Sequence, residues 1–245
     1  MKIIADTHCH TTASTHAYSS LEEMVKAAQK KNLYAIAITD HGRLMPGAPG
    51  QWYFENLRII PKKIDGVRVI KGIEANVCDY DGNLDVEDSS LGYLEWVIAS
   101  MHEITLEPIC DIDACTAAWL NVAKNPYVDV IGHSGVKAFK FDYEKVIPEF
   151  GRYGKLVEIN NNSFIIRKSG IENCKKIAQI CKKHGVRIVV NSDAHFSSQV
   201  GIFDNAISLL KEIDFPEDLV VNSDIDRFKS YLKSRPKTAL IHNKN

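Results

Sequence analysis

The 245-residue sequence has six cysteines, Cys9, Cys78, Cys110, Cys115, Cys174 and Cys181, but no C-x-x-C pair among them. Without that pairing the thiols read as reduced, small buried hydrophobes and not as a disulfide framework. No apolar run approaches the ~18–20 residues that a membrane helix requires. The first residues, MKIIADTHCH, turn polar after four positions, which predicts no secretory signal and a cytoplasmic location. Charge of one sign is also missing: 30 Lys+Arg face 31 Asp+Glu, for a net charge of -1, with no basic block in either half. That balance argues against partners such as nucleic acid or an acidic membrane surface, while leaving a small phosphorylated substrate open.

Linkers, low-complexity tracts and internal repeats are absent, so one domain over residues 1–245 is expected. No P-loop or dinucleotide-binding glycine pattern occurs. The segment DYDGNLDVEDSS resembles a calcium loop, but counting from Asp79 the position that needs glycine is Leu84. Residues 80–85 therefore read as a tight turn or hairpin tip. His102 and Glu103 open no zincin motif either, because the residue four after His102 is Leu106.

What remains is a rhythm. Short Ile/Val-rich runs at residues 2–6, 34–39, 67–72, 96–100, 128–132, 156–159 and 186–191 alternate with stretches of helical periodicity. The first such stretch follows Ser20, with Glu23 placed to complete a capping box and Leu21, Val25 and Ala28 on one face. Further helices are predicted near residues 112–124, 142–150, 171–184 and 203–213. This alternation is the signature of βα units around a parallel sheet, and continuously apolar strands suit a sheet covered on both faces. A closed or nearly closed α/β barrel of seven units is the expected fold, with an open doubly wound sheet as the alternative.

Nine histidines are the compositional exception, and most of them fall where an apolar run gives way to a polar loop. The first run leads to His8 and His10, the second to His41, the third to Glu74, the fourth to His102, the fifth to His133, and the seventh to Asp193 and His195. His16 lies in the loop after the first. In a parallel barrel the C-terminal strand ends share one mouth, so these residues should converge there. Residues two apart on a strand face the same way, which pairs His8 with His10 and Asp193 with His195 and turns Cys9 away. A single H-x-H pair arises by chance about 0.3 times in a chain with nine histidines, so the joint placement carries the inference. His184, after a helix, and His242, in the tail, read as surface residues. Seven imidazoles and two carboxylates exceed the needs of one ion, since catalytic zinc takes about three protein ligands, and so they suggest about three metals. Glu74 and Asp193 are the bridging candidates, and N/O donors without thiolate suit Zn, Mn or Fe.

The run D-T-H-C-H at residues 6–10, His16, T-D-H-G at 39–42, Glu74 and S-D-A-H at 192–195 together resemble the polymerase and histidinol phosphatase (PHP) family, in particular its YcdX-like single-domain phosphatases. The resemblance implies a distorted (β/α)7 TIM-like barrel with three divalent ions, zinc before manganese or iron, that hydrolyses phosphate esters. It implies one ion held by His8, His10, Glu74 and Asp193, a second by Glu74, His102 and His133, and a third by His16, His41 and His195. Catalysis would then run through a metal-bound hydroxide, with no nucleophilic side chain. Asp6 and Asp40 are candidate acceptors for imidazole N–H groups, and Arg43, just beyond T-D-H-G, is a candidate phosphate contact. The family spans histidinol phosphatases and phosphoesterases of nucleotides or nucleic-acid ends; a homo-oligomer is compatible with it. A non-catalytic metal-binding module is the alternative of another class. An amidohydrolase would leave His16 and His41 without a purpose and would want a lysine at a strand end, where Lys71 is not.

Overall fold

A computed structural model describes residues 1–235 and Lys237; His242 lies outside the described residues. The strands are β1 (Ala5–Cys9), β2 (Ala35–Ile38), β3 (Lys63–Ile64), β4 (Val67–Asn76), β5 (Trp96–Ser100), β6 (Val130–Ile131), β7 (Leu156–Asn160) and β8 (Ile188–Asn191). All but β3 are parallel neighbours, in the order β1-β2-β4-β5-β6-β7-β8. The seven expected strands are thus present in a nearly closed barrel, and the open doubly wound alternative falls. Boundaries differ: β1, β6 and β8 start later than their apolar runs, and β4 continues past Gly72 to Asn76. The unexpected β3 forms an antiparallel hairpin with β4 across Asp65-Gly66, at φ +47° and +85°. That conformation favours an Asp-Gly pair.

The predicted helices appear as α1 (Leu21–Lys30), α4 (Ile112–Lys124), α5 (Tyr143–Arg152), α6 (Ile171–His184) and α7 (Asp204–Glu212), joined by the unforeseen α2 (Gln51–Asn56), α3 (Asp88–Leu91) and α8 (Ile225–Ser234). The α1 capping box is formed: Ser20 Oγ accepts from Glu23 N at 3.3 Å, and Glu23 Oε2 accepts from Ser20 N at 2.7 Å. No helix among the described residues is long and apolar enough to cross a membrane.

Two apolar layers follow from strand alternation. Ile36, Ile38, Val69, Ile73, Val97, Ala99, Val157 and Ile159 face the helices. Ala35, Ala37, Ile70, Trp96, Ile98, Leu156 and Val189 fill the lower barrel interior, where small alanines leave room for the Trp96 ring. From α8, Phe228, Tyr231 and Leu232 plug the bottom of the barrel, with the Phe228 ring 5.9 Å from that of Trp96. The floor is apolar, so the next inward positions up each strand meet at the mouth.

The seam between β1 and β8 is closed by other means than a continuous ladder. Near the mouth, Cys9 and Ala194 form a parallel bridge, and His10 N donates to Ala194 O at 2.8 Å. Lower down, the buried Asn222 wedges between the strands: Oδ1 accepts from Val190 N at 3.0 Å, and Nδ2 donates to Ala5 O and Val190 O at 2.8 and 2.7 Å.

Candidate metal centre

Inward parity explains most of the site. On β2 the sequence Ala35, Ala37 leads on to Thr39 and His41; on β4 Ile70 leads to Gly72, Glu74 and Asn76; on β5 Trp96 and Ile98 lead to Ser100 and His102. Two strands break parity to deliver their candidate ligands. In β1 the register against β2 slips between Asp6 and Cys9, a bulge that inserts one residue. Ala5 faces inward below it, and above it His8 and His10 do, while Cys9 packs among the helix-side core. At the end of β6, Val130 faces inward and parity would turn His133 outward, but its φ of +20° leaves extended geometry. Its ring returns to the mouth, with Nε2 2.9 Å from Glu74 Oε1. Gly132 makes room for this, since a Cβ there would lie 2.2 Å from Ser100 Oγ. Asp193 also sits at positive φ, +56°, a conformation that Asp tolerates better than most residues.

Glu74 is the hub. Its Oε2 lies 3.3 Å from His8 Nε2, 3.5 Å from His10 Nε2 and 2.7 Å from His41 Nδ1; its Oε1 lies 3.4 Å from His102 Nε2. Asp193 Oδ1 is 3.6 Å from His8 Nε2 and 3.3 Å from His10 Nε2. His16 Nε2 is 3.1 Å from His41 Nε2, and the His16 and His195 rings stack at 4.8 Å. All nine residues expected at the mouth are therefore brought together. Three groups of ligand atoms are each mutually within 4.8 Å: His8, His10 and Asp193; His41, Glu74 and His102; and His10, His41 and His195. His184 stands apart on α6, 3.6 Å from Glu144.

The donor set fits metal ions by a direct test. His8 Nε2, His10 Nε2, His41 Nδ1, His102 Nε2 and Glu74 Oε2 are buried without a hydrogen bond of acceptable geometry, although they crowd one another. Buried polar atoms normally find partners, so a convergent set of unpaired ones marks a place for cations. The far nitrogens of three of the imidazoles are anchored: His8 Nδ1 to Glu158 Oε1 at 2.7 Å, His102 Nδ1 to Asn76 Oδ1 at 2.7 Å, and His195 Nδ1 to Asp193 O at 3.0 Å, whereas His133 Nδ1 is buried without a partner. This is how metal-binding imidazoles are oriented.

Electrostatics follow the crowding. Burial alone would raise the Glu74 carboxyl, but the imidazoles of His8, His41 and His102 hold it well below the usual carboxylate range. Asp193 is depressed similarly by His8, His10 and Arg167 against the effect of burial. Burial together with His41 and His195 pushes His16 down to about 4 and His10 well below the usual imidazole range.

Asp6 and Asp40 spend their oxygens elsewhere than on imidazoles. Asp6 accepts from Ser192 N, Ser192 Oγ and Gly201 N, and Asp40 from Thr11 N, Thr11 Oγ1, Ser14 Oγ and Tyr53 OH. Asp6 lies on an outward position of β1 and Asp40 just beyond the end of β2, where they tie mouth loops together. Arg43 is exposed and, among the described residues, makes no hydrogen bond into the centre. The residue that reaches the centre is Arg167, in the connection after β7, whose Nη1 lies 3.1 Å from Asp193 Oδ2 with the side chain 24% exposed. Sequence reasoning passed over Glu158 as well, although a carboxylate inside the apolar run LVEIN was a signal. It is fully engaged: Oε1 also accepts from Asn191 Nδ2 at 2.8 Å, and Oε2 from His133 N at 2.7 Å. The turn at residues 80–85 is present, with Cys78 N bonded to Asn83 O at 2.9 Å, and it delivers Asp85. That carboxylate accepts from Asn76 N and Nδ2 at 2.9 and 2.7 Å, fixing the amide that holds His102.

Several known proteins are similar to this chain. The chain is 48% identical to a probable phosphatase of Acetivibrio thermocellus over 96% of this chain and 97% of that one. It is 48% identical to a probable phosphatase of Thermoanaerobacter pseudethanolicus, covering 96% of each chain. Among solved structures, a histidinol phosphate phosphatase from Lactococcus lactis, complexed with zinc, L-histidinol and phosphate, superposes at a TM-score of 0.64 with 17% identity, over 88% of this chain and 95% of that one. The PHP domain profile matches residues 6–165, which carry the strand ends from His8 to His133. By that match and by relatives alike over nearly their whole length, the chain belongs to the PHP domain family.

Proposed function

We propose that this protein is a metal-dependent phosphatase of small phosphomonoesters with a centre of three divalent ions. The observation that carries the reading is the convergence of unpaired imidazole nitrogens on Glu74 and Asp193 at the barrel mouth. His8, His10, Glu74 and Asp193 would hold one ion; Glu74, His102 and His133 a second; His16, His41 and His195 the third. Short contacts support these sets: Glu74 lies 3.3–3.5 Å from His8, His10 and His102 and 2.9 Å from His133, and His16 lies 3.1 Å from His41, which itself also lies 2.7 Å from Glu74. When bound, such ions supply Lewis acidity that activates water and neutralises charge on the phosphoryl oxygens. Zinc suits the donor set, and the Lactococcus lactis protein holds zinc with phosphate, which supports the same ion and substrate chemistry here.

The chain's own residues do the positioning. Glu158 and Asn76 fix the His8 and His102 rings so that Nε2 faces the centre. The partly exposed Arg167 guanidinium, already beside Asp193, would take a phosphoryl oxygen through a charge-assisted hydrogen bond. Three divalent cations would outweigh the two carboxylates, so a nearly neutral chain presents a positive pocket without a basic patch.

The test is metal analysis of the purified protein together with hydrolysis of an aryl phosphate before and after chelation. Bound metal and turnover that is lost with it are expected, and Arg167→Met should raise KM about tenfold or more, as loss of a charged hydrogen bond does. Turnover that survives complete metal removal contradicts the reading; full metal occupancy without turnover favours a binding module.

A further inference from the structure

Exposed apolar side chains border the candidate metal centre. Of the large hydrophobic side chains exposed on the described surface, Tyr18, Leu44, Ile104, Ile165, Ile166 and Phe196 all lie in connections that leave the mouth ends of strands. Each is tied to a residue of the centre. Tyr18 N donates to His195 O at 2.9 Å, and Phe196 follows His195 directly. Leu44 lies three residues beyond His41, and Ile104 sits in the turn whose next two amides, Thr105 N and Leu106 N, bond to His102 O at 3.0 Å. Ile165 and Ile166, both held by Asn162 O at 2.9 Å, immediately precede Arg167. Tyr18 is 72%, Ile166 62% and Phe196 48% exposed.

Charge is scarce on the part of this rim that carries Tyr18, Leu44 and Phe196, although Glu103 and Glu107 flank Ile104 and Arg167 and Lys168 follow Ile166. The connections at residues 11–20 and 194–203 contain no Lys, Arg, Asp or Glu at all, and that at 42–50 contains only Arg43. A polyanion would find no cation in these three connections other than Arg43. An amphiphile fits both halves: an anionic head for the centre and an apolar body for the rim. Resting on the phosphatase reading above, we infer that the preferred substrates are phosphomonoesters of uncharged, apolar alcohols. Tyr18, Phe196 and Ile166 determine that specificity by packing against the alcohol.

The test compares kcat/KM for ethyl and n-hexyl phosphate with the metal-loaded full chain. Both esters release a primary alkoxide, so their ratio reports contact with the rim and not leaving-group chemistry. Each methylene buried is worth about fourfold. A ratio of about tenfold or more in favour of hexyl phosphate is expected, falling towards one in the Phe196→Ser/Ile166→Ser double variant, whose metal content and melting temperature report that it is folded. Hydrolysis of both esters at a ratio near one overturns this inference alone. Hydrolysis of neither while an aryl phosphate is still turned over overturns this inference alone, and hydrolysis of none of the three overturns the phosphatase reading with it. A variant that keeps the ratio but sediments as a smaller species shows that the rim covers a second copy of the chain, and likewise overturns it.

Discussion

An imidazole that offers one nitrogen to a cation is oriented by whatever holds the other, and at His8 that holder is Glu158. Burial would raise the Glu158 carboxyl, but the adjoining His8 and His133 lower it, so it stays ionised against His8 Nδ1. Glu158→Gln keeps the shape and the acceptor for His133 N but removes the charge that, on the proposed function, would make His8 a better ligand. Loss of such a partner characteristically costs 10–100-fold in metal affinity or activity, and about that drop is expected in a metal titration of the variant. An unchanged affinity would mean that the carboxylate merely packs. The nine mouth residues were legible because strand-end histidines and acids stand out as a pattern. Glu158 was not, because it lies mid-strand and its role depends on which strand abuts His8, a fact of barrel order. The same holds for Asp6 and Asp40: proximity to a ligand in sequence suggested imidazole acceptors, yet alternation sends their side chains to the far face, where hydroxyls and amides meet them.

At the scale of elements, period-two alternation read His8 with His10 correctly, but the bulge in β1 and the positive φ at His133 have no sequence signature that alternation can detect. The helices α2, α3 and α8 escaped for a related reason. The first two are short pieces within strand connections, and the apolar face of α8 is explained only by the barrel floor that it plugs. Near that floor β7 begins beside a buried cation: Lys155 Nζ donates to Asn125 O and Val128 O at 2.5 and 2.8 Å. Burial pushes its ammonium down to about 8 against the pull of Asp129. In the unfolded chain the same group titrates near 10.4, so between these values the unfolded state binds more protons and stability rises with pH. The contribution is fully present above the unfolded value and is lost as pH falls through about 8. Lys155→Met removes it. Relative to wild type, the variant's advantage in unfolding free energy should therefore shrink by up to about 3 kcal/mol between pH 7 and pH 10.5. A pH-independent difference in urea titrations would show that the two carbonyls already satisfy the charge.

For the whole molecule, the centre is also the place where folding is least comfortable. Glu74, Asp193 and Glu158 stand buried among seven imidazoles, and several of the inward atoms have no hydrogen-bond partner. An apolar floor below and a seam closed by Asn222 and the Cys9–Ala194 bridge hold this cluster in place. The barrel thus preorganises the ligands at a cost to its own stability, which cations would offset, since they bind the folded chain and not an unfolded one in which the ligands are dispersed. At a hundredfold excess over Kd a single ion stabilises by about 2.7 kcal/mol. For a chain of this length that is a shift of roughly 5–10 °C in Tm. Chelation should lower the melting temperature by at least that much, readdition of zinc should restore it, and the shift should grow with free metal concentration. Melting that is indifferent to chelation, with metal shown to be absent afterwards, would mean that the imidazoles and carboxylates satisfy one another as a hydrogen-bonded core, and the cation site would have to be abandoned.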